Sequence, residues 1–523
     1  MTGPAAPDTP GDPVIHGVPA DQMPFEVDDV EPTEERKTPA TRRTQRRGRL
    51  SPVRGRTAAV LAVVAVVAGA GLVGAVAPAP TPPPAPVNFD GLAIAPADAS
   101  SSSLFCAMGA GGGAGAGATG VVVLTNTTTS AAQGVMTTVR AGGAAPVRRT
   151  IVVPALGQTD VIPAAGLPDG VTAASFTFRG GGVSGMAVVG GAAGWSTADC
   201  PTQVASQWYI PGGGTADGPL SLSLFNPTAA PTVVYLTFLT TSGAVLVPQK
   251  YQGIVVPPEQ VVTESLGDYV QGQSVVTTLV QASSGSVVAT ELHRPTGPAG
   301  AGLSLLAGVP DLSTTWRFGQ TTALAGGTVD LVLANPSTRP ATAQVSVGLP
   351  SATVLPRTVA VAGRGMAVLR VSSLPGWPLG APYAITVRST VPLVVGRTVA
   401  APPGAPAPRT GAGPATSATA RSWLLVGPGK PDNPIVAGAT ITSLAVANPS
   451  NEVAEVRVSA LTSGDTVATV QVAPHTLAVL GSKVVGGLQP LVVTSSVAVV
   501  IEGDYGPTGA PGIAYTSGVP LAH

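Results

Sequence analysis

Aromatic residues, charged residues, cysteine and histidine are all scarce in this chain of 523 residues. Aromatics make up 4% and charged residues 10%, and there are 2 cysteines and 4 histidines. The histidines are far apart in sequence: His16, His293, His475 and His523. Since no histidine lies near a cysteine at ligand spacing, the sequence predicts no metal site and no cofactor. The densest basic cluster has no interleaved aromatics, so we expect no nucleic-acid binding.

Carboxylates are sparse in the C-terminal four-fifths of the chain, and their densest group is Glu259, Glu264, Asp268 and Glu291. A pair of them could serve as the acid and the nucleophile of a glycosidase. Solvated charges on turns and strand edges are the simpler interpretation, and no G-x-S-x-G nucleophile motif occurs. The sequence therefore predicts no catalysis, with an envelope hydrolase as the alternative.

What the chain does contain is one long apolar run, residues 57–77, without a charge. A helix needs about 20 apolar residues to cross a bilayer. Seven arginines lie between residues 42 and 56, and no Lys or Arg follows until Arg140. By the positive-inside rule we expect a single-pass anchor with a cytoplasmic N-terminus and an extracytoplasmic C-terminal part.

A cleaved signal peptide is the alternative for this run, because residues 75–77 have the small-x-small form of a cleavage site. The run exceeds the usual apolar region of about 7–15 residues, and 56 residues precede it. We therefore expect an uncleaved anchor. Residues 1–56 lack apolar periodicity and are predicted to form a disordered cytoplasmic tail whose arginines attract anionic lipid headgroups. Residues 78–103, rich in Pro, Ala and Ser, are predicted to be a spacer.

Both cysteines, Cys106 and Cys200, lie on the extracytoplasmic side of the predicted anchor. An oxidising compartment and an even count favour a disulfide, with free thiols as the alternative. We expect this bond to link the start of the first repeat to the segment that follows its last strand.

An apolar strand that ends in an asparagine turn occurs four times. The turn residues are Asn126, Asn226-Pro227, Asn335-Pro336 and Asn448-Pro449. The positions two and four before each Asn are apolar, which is the period-two pattern of a strand with one buried face. Pro lacks an amide for the ladder and the Asn side chain can bond nearby backbone, so each copy predicts a strand followed by a turn.

Three copies also carry a tryptophan upstream of the turn, at Trp208, Trp316 and Trp423, and Phe105 stands at the matching place in the first. We expect these tryptophans in the core, with stacking on wall polysaccharide as the alternative. Each unit offers about seven short strands in about 100 residues, which predicts an all-β chain of tandem immunoglobulin-like sandwiches, with a β-propeller as the alternative. The predicted repeats are 104–200, 201–303, 304–401 and 421–523, with a linker at 402–420.

The order of these features resembles a repeat family of actinobacterial extracytoplasmic proteins whose function is unknown. In that family the Trp segment usually reads WYFAEG and the closing strand VAERxMY. Here residues 207–213 read QWYIPGG and residues 287–293 read VVATELH, which keep part of each. The resemblance implies a membrane-anchored envelope protein and no activity.

Taken together, the sequence predicts a single-pass envelope protein whose extracytoplasmic β-repeats serve in structure or binding. Candidate partners are the membrane, through residues 57–77, and cell-wall polysaccharide or envelope proteins. A transmembrane sensor that couples the envelope to the cytoplasmic tail is the main alternative.

Overall fold

Strands dominate a computed structural model of the chain, which describes residues 93–521 except 113–117, 192–193, 297–301, 352, 403, 405–409, 431–438, 488 and 508–513. The predicted tail, anchor and most of the spacer lie outside the described residues. Among the residues that are described, no helix is long and apolar enough to cross a membrane.

The first sandwich contains two four-stranded antiparallel sheets, with strand orders β1-β6-β3-β4 and β5-β2-β7-β8. Its strands are β1 (Ser101–Gly112), β2 (Thr119–Asn126), β3 (Ala132–Arg140), β4 (Val147–Val153), β5 (Gly157–Val161), β6 (Gly170–Arg179), β7 (Val183–Gly191) and β8 (Gly194–Asp199).

The second sandwich repeats this topology, with orders β9-β15-β11-β12 and β14-β10-β16-β17, and with β13 also paired to β11. Its strands are β9 (Gln207–Gly213), β10 (Leu220–Asn226), β11 (Thr232–Thr240), β12 (Val245–Leu246), β13 (Gln252–Val256), β14 (Gln260–Ser265), β15 (Val276–Ser284), β16 (Val288–His293) and β17 (Ser304–Ala307), with a 3-10 turn at Gln249–Tyr251.

In the third sandwich one long strand, β23, takes part in both sheets, with orders β18-β23-β20-β21 and β22-β19-β23-β24. Its strands are β18 (Ser313–Thr322), β19 (Thr328–Asn335), β20 (Ala341–Gly348), β21 (Thr353–Val361), β22 (Gly365–Arg370), β23 (Pro382–Ala400) and β24 (Thr410–Pro414), with a 3-10 turn at Val371–Ser373.

The fourth sandwich uses β30 in the same way, with orders β28-β27-β30-β25-β32 and β29-β26-β30-β31. Its strands are β25 (Ala420–Leu425), β26 (Ala439–Ala447), β27 (Ala454–Ala460), β28 (Thr466–Val472), β29 (Leu477–Gly481), β30 (Leu491–Pro507), β31 (Ala514–Ser517) and β32 (Val519–Pro520), with one helical turn, α1 (Ser482–Val485).

The all-β sandwich prediction is confirmed, and the propeller alternative is wrong, because each repeat is a pair of packed sheets rather than one blade. The period-two pattern is visible in β27, where Val456 and Val458 are buried and Glu455 and Arg457 are exposed. Hydrophobic burial of one face of each sheet holds the two sheets of a sandwich together.

Two predicted boundaries differ from the sheets. Ser304–Ala307, which the sequence assigned to the third repeat, pairs with β16 and completes the second sandwich. Thr410–Pro414, which lies within the predicted linker 402–420, pairs with β23 of the third sandwich. Both segments are short edge strands of four and five residues. Thr410–Pro414 reads TGAGP, so its composition resembles a linker although it forms a strand.

Candidate functional site

The four asparagine turns have one geometry. In the second turn Asn226 is fully buried; its side-chain nitrogen donates to the carbonyls of Ala230 at 2.7 Å and Val256 at 3.1 Å. The side-chain oxygen of Asn226 accepts from the backbone N–H and the hydroxyl of Thr228, at 2.9 and 2.7 Å. The asparagine side chain therefore pairs with backbone N–H and carbonyl groups that the turn would otherwise leave without hydrogen bonds.

The first and fourth turns make the same set of bonds, although the first lacks the proline. In the third, Asn335 donates to the Arg339 carbonyl at 2.6 Å and accepts from the backbone N–H and hydroxyl of Ser337. The hydroxyl partners of the asparagine side chains are Thr128, Thr228, Ser337 and Ser450. A Ser or Thr two residues after each Asn is thus part of the motif, which reads N-x-[ST] in all four copies. All four motifs stabilise turns, so their role is structural.

The recurring tryptophans lie in the sandwich cores. Trp208, Trp316 and Trp423 are each at most 1% exposed, as expected for core residues. Each indole N–H donates to a backbone carbonyl: Val287 for Trp208 at 2.8 Å, Leu393 for Trp316 at 2.9 Å and Ala420 for Trp423 at 3.0 Å. Side chains buried in this way have no face available for a sugar ring.

Phe105 does not match the tryptophans. It is half-buried and packs against the core of the second sandwich, while its neighbours Leu104 and Cys106 are buried within the first. Within the described residues, the first core has no tryptophan and instead contains Cys106 and Cys200, joined by a disulfide with a Cα–Cα distance of 4.9 Å.

We predict that this bond forms in the exported protein and stabilises the first sandwich. It closes a loop with a sequence separation of 94, for which loss of the crosslink typically costs about 2–5 kcal/mol. Mass spectrometry of unreduced tryptic peptides should detect the crosslinked pair, and Cys106→Ala/Cys200→Ala should melt at a lower temperature. Two freely alkylated thiols in exported protein would contradict the prediction.

The four carboxylates of the hydrolase alternative are not brought together as one solvated site. Glu259 forms an exposed ion pair with Arg148, and Glu264 bonds Lys250 at 3.0 Å. Glu291 is fully buried, and neither of its carboxyl oxygens has a hydrogen-bond partner of good geometry among the described residues. A carboxyl that neither water nor substrate can reach cannot act as acid or nucleophile in this conformation.

Burial raises the pKa of Glu291 to about 8, although the nearby Thr278 hydroxyl acts in the opposite direction. A carboxyl with a raised native pKa binds more protons in the folded state than in the unfolded state between pH about 4.5 and 8. Stability therefore falls as the pH rises through this window, because the unfolded chain ionises first.

The stability of the Glu291→Gln variant should accordingly depend less on pH than that of the parent. We expect the melting temperature of the variant to exceed that of the parent increasingly from pH 5 to pH 8, since the amide carries no charge to desolvate. The control is Glu259→Gln, which removes an exposed carboxylate and should leave the pH profile unchanged. Parallel profiles for parent and Glu291→Gln would show that Glu291 is ionised in the folded protein.

A buried polar network joins the third and fourth sandwiches. The Arg397 guanidinium forms an ion pair with Glu502 and donates to the hydroxyl of Thr321 at 2.7 Å. Glu502 also accepts from the Gln320 backbone N–H at 2.9 Å. The guanidinium lies 3.9 Å from the centre of the Tyr515 ring, which adds a cation–π contact.

The network continues through the Gln320 side chain, which donates to the Ser443 hydroxyl at 2.9 Å and to Asp504 at 3.4 Å. Burial, together with the nearby charge of Glu502, raises the pKa of Asp504 well above its usual value, against the opposite effect of Arg397. Residues of β18 and β23 thus contact β26 and β30 through charged and amide groups that water does not reach.

The fourth sandwich also contacts the first. The Thr516 hydroxyl lies 3.2 Å from both carboxyl oxygens of Asp199, and Ile94 forms an isolated parallel bridge with Leu521. Burial raises the pKa of Asp199 to about 7, although the Thr516 bond acts in the opposite direction. Side chains at opposite ends of the repeat array therefore meet.

These contacts complete a cycle of edge strands. β8 contacts β17, β17 contacts β24, β24 contacts β31, and β31 contacts β8. Ser196 accepts a hydrogen bond from the Leu305 backbone at 2.9 Å, and Ser304 donates to Thr410 at 3.0 Å. Each of these four strands lies at the edge of its sheet and is covered by the other sandwiches, which removes four exposed strand edges.

A cavity lies where these strands meet, with Asp199, Arg397, Glu502 and Tyr515 among its lining residues. Its volume is about 70 Å³, whereas small-molecule sites usually occupy about 300–1,000 Å³. The space fits several water molecules and no sugar ring. Larger grooves occur at two junctions: about 380 Å³ between the third and fourth sandwiches and about 310 Å³ between the second and third.

Among the described residues, no cluster of three or more His, Cys, Asp or Glu side chains could hold a metal ion. His293 instead bonds Asp217 at 3.0 Å, and His475 bonds Asn451 at 2.9 Å. The two histidines therefore lie in separate polar contacts.

Comparison with known proteins identifies one family. The sequence model of a family of unknown function (DUF5719) matches residues 171–481, which include parts of all four repeats. No curated protein matches the chain.

Solved structures give weak similarity. A Thermotoga maritima protein (1070) is 17% identical with a TM-score of 0.18, covering 20% of this chain and 93% of that one. A tetra-tandem repeat from the extending region of a large adhesion protein is 12% identical with a TM-score of 0.10, covering 75% and 92%. Trypsin-activated alpha-2-macroglobulin of Escherichia coli is 8% identical with a TM-score of 0.10, covering 76% and 40%. Scores this low carry no argument about fold or function.

Proposed function

Because the chain belongs to the DUF5719 family of unknown function, membership brings no activity with it, and we propose a role from the residues themselves. The protein is a membrane-anchored, extracytoplasmic repeat protein of the cell envelope that serves in structure or binding rather than catalysis. Its actinobacterial origin, indicated by the partial QWYIPGG and VVATELH motifs, is part of the same proposal.

The location is supported by two independent features. The apolar run at residues 57–77 follows seven arginines and precedes a long stretch without any basic residue. The Cys106–Cys200 disulfide is of the kind that persists in oxidising compartments. Both features favour exposure of the β-repeats outside the cytoplasmic membrane.

The proposed role rests on one observation: the buried polar side chains bond one another across the junctions between sandwiches. Arg397 and Glu502 bond each other across one junction, and Asp199 bonds Thr516 across another. Groups of this kind usually converge on a ligand in an enzyme pocket, yet here they connect sandwiches around a cavity that fits several waters. Such junctions resist relative motion of the repeats, which suits a spacer or a binding platform held off the membrane.

Topology is tested in cells stripped of wall. Protease added from outside should digest the β-repeats and spare an N-terminal tag on the cytoplasmic tail. The matched control replaces the seven arginines at 42–56 by Gln, which should reduce the fraction of correctly oriented chains. A C-terminal reporter that is active only in the cytoplasm would contradict the proposed location.

The role is tested by deleting residues 1–41, which leaves the arginine segment 42–56 to orient the anchor. A structural or binding protein should still restore the envelope of a null strain and should still sediment with isolated cell wall. Loss of the phenotype at normal abundance and location would instead favour the transmembrane sensor.

A further inference from the structure

The groove between the third and fourth sandwiches has an unusual charge composition. Its volume is about 380 Å³, within the usual range for small ligands. Arg317 and Arg388 both line it, and His475 adds an imidazole. No carboxylate is among its described lining residues. Two unneutralised guanidinium groups at one groove repel each other unless an anion lies between them.

The two arginines are placed by neighbouring strands of one sheet. Arg317 on β18 lies opposite Thr386 on β23, which lies opposite Ser346 on β20. Arg388 lies two residues further along β23, on the same face, opposite Gln344. Residues opposite each other in an antiparallel sheet share a face, so these five side chains form one polar surface.

This polar surface retains hydrogen-bonding capacity. The Nε of Arg317 is buried without a partner, and one of its Nη atoms donates to the Ser417 carbonyl at 3.2 Å. Burial and the adjacent charge of Arg388 lower the pKa of Arg317. Arg388 itself forms no ion pair or hydrogen bond with another described residue.

The opposite wall comes from the fourth sandwich, through its asparagine turn and the turn at His475. The turn approaches closely because β20 ends in Gly348, where a side-chain carbon would come within 2.7 Å of the His475 carbonyl oxygen. Val354 and Pro356 supply an apolar side. The groove thus combines two cations, hydroxyl and amide groups, and a small apolar wall.

We propose that this groove binds a phosphate monoester carried on a small organic group of about the size of one sugar. A phosphate monoester carries about −1.5 to −2 charges at neutral pH, which matches two arginines better than a single carboxylate does. The planar guanidinium fork donates two parallel bonds to phosphate oxygens. Ser346, Thr386 and Gln344 are placed to bond the hydroxyl groups of the carrier.

This site is independent of the membrane location proposed above, because every group in it lies within two adjacent sandwiches. The binding measurement can therefore fail or succeed separately from the topology experiment.

The test is titration calorimetry on the full-length chain, purified in detergent without phosphate buffer. Glucose 1-phosphate should bind at one site per chain, glucose should not bind, and affinity should fall as NaCl is raised. Arg388→Gln should weaken binding about tenfold or more without lowering the melting temperature, because Arg388 makes no bond to another described residue. Arg357→Gln, on the adjacent strand β21 but outside the groove lining, is the matched control and should bind like the parent.

Four outcomes would overturn the proposal. Two concern glucose 1-phosphate itself: titration of the parent gives no saturable heat, or Arg388→Gln binds it as tightly as the parent does. Equal affinity for glucuronate would assign the groove to carboxylates instead. Equal affinity for inorganic phosphate would support the oxyanion site and overturn the organic carrier.

Discussion

Trp316→Ala should lower the free energy of unfolding of the third sandwich by about 3–5 kcal/mol, the usual loss when a large core aromatic is truncated. Trp316 is 0% exposed, and its indole N–H donates to the carbonyls of Ser313 and Leu393 at 3.1 and 2.9 Å. The substitution therefore leaves a cavity and two carbonyls without this donor.

The measurement is hydrogen exchange resolved by peptide, since a chain with four sandwiches need not unfold in one step. Protection should fall chiefly in β18, β19 and β23. Leu355→Ala is the matched control, because Leu355 lies in the same sandwich but is 85% exposed, and it should leave protection unchanged. A Trp316→Ala protein that keeps full protection but no longer sediments with cell wall would revive the stacking role for the tryptophans.

Arg397→Met is expected to cost about 3–5 kcal/mol at the junction of the third and fourth sandwiches. Removing one partner of a buried ion pair leaves the other charge without compensation. Arg397 and Glu502 are each 4% exposed in their side chains, so water cannot replace the lost guanidinium. Glu502 must then either take up a proton or gain access to water, which requires the third and fourth sandwiches to separate.

Two matched variants separate charge from volume. Arg397→Met/Glu502→Met should recover most of the lost stability, because an apolar pair of similar size removes the isolated charge. Arg370→Met breaks the ion pair with Asp330, in which Arg370 is 58% exposed, and should cost about 1 kcal/mol or less. If the double variant is as unstable as Arg397→Met, packing rather than charge holds the junction.

Several features were predictable because they depend on local patterns. Alternating burial in β27, turns at the four asparagines and burial of Trp208, Trp316 and Trp423 follow from period-two hydrophobicity and turn chemistry within about ten residues. Phe105 was misassigned, since Leu104, Phe105 and Cys106 are all apolar and a shift of one residue reverses which of them faces the core.

The sequence by itself determined an all-β chain of repeated strands and turns, because strand periodicity and Asn-Pro chemistry act between near neighbours. The tertiary structure alone decided that β23 and β30 each serve two sheets, that Glu291 is sealed from water, and that the first and fourth sandwiches meet. The partners Arg397 and Glu502 are 105 residues apart, and Asp199 and Thr516 are 317 apart. No local period encodes such pairs; they arise only when the four sandwiches cover one another's edge strands.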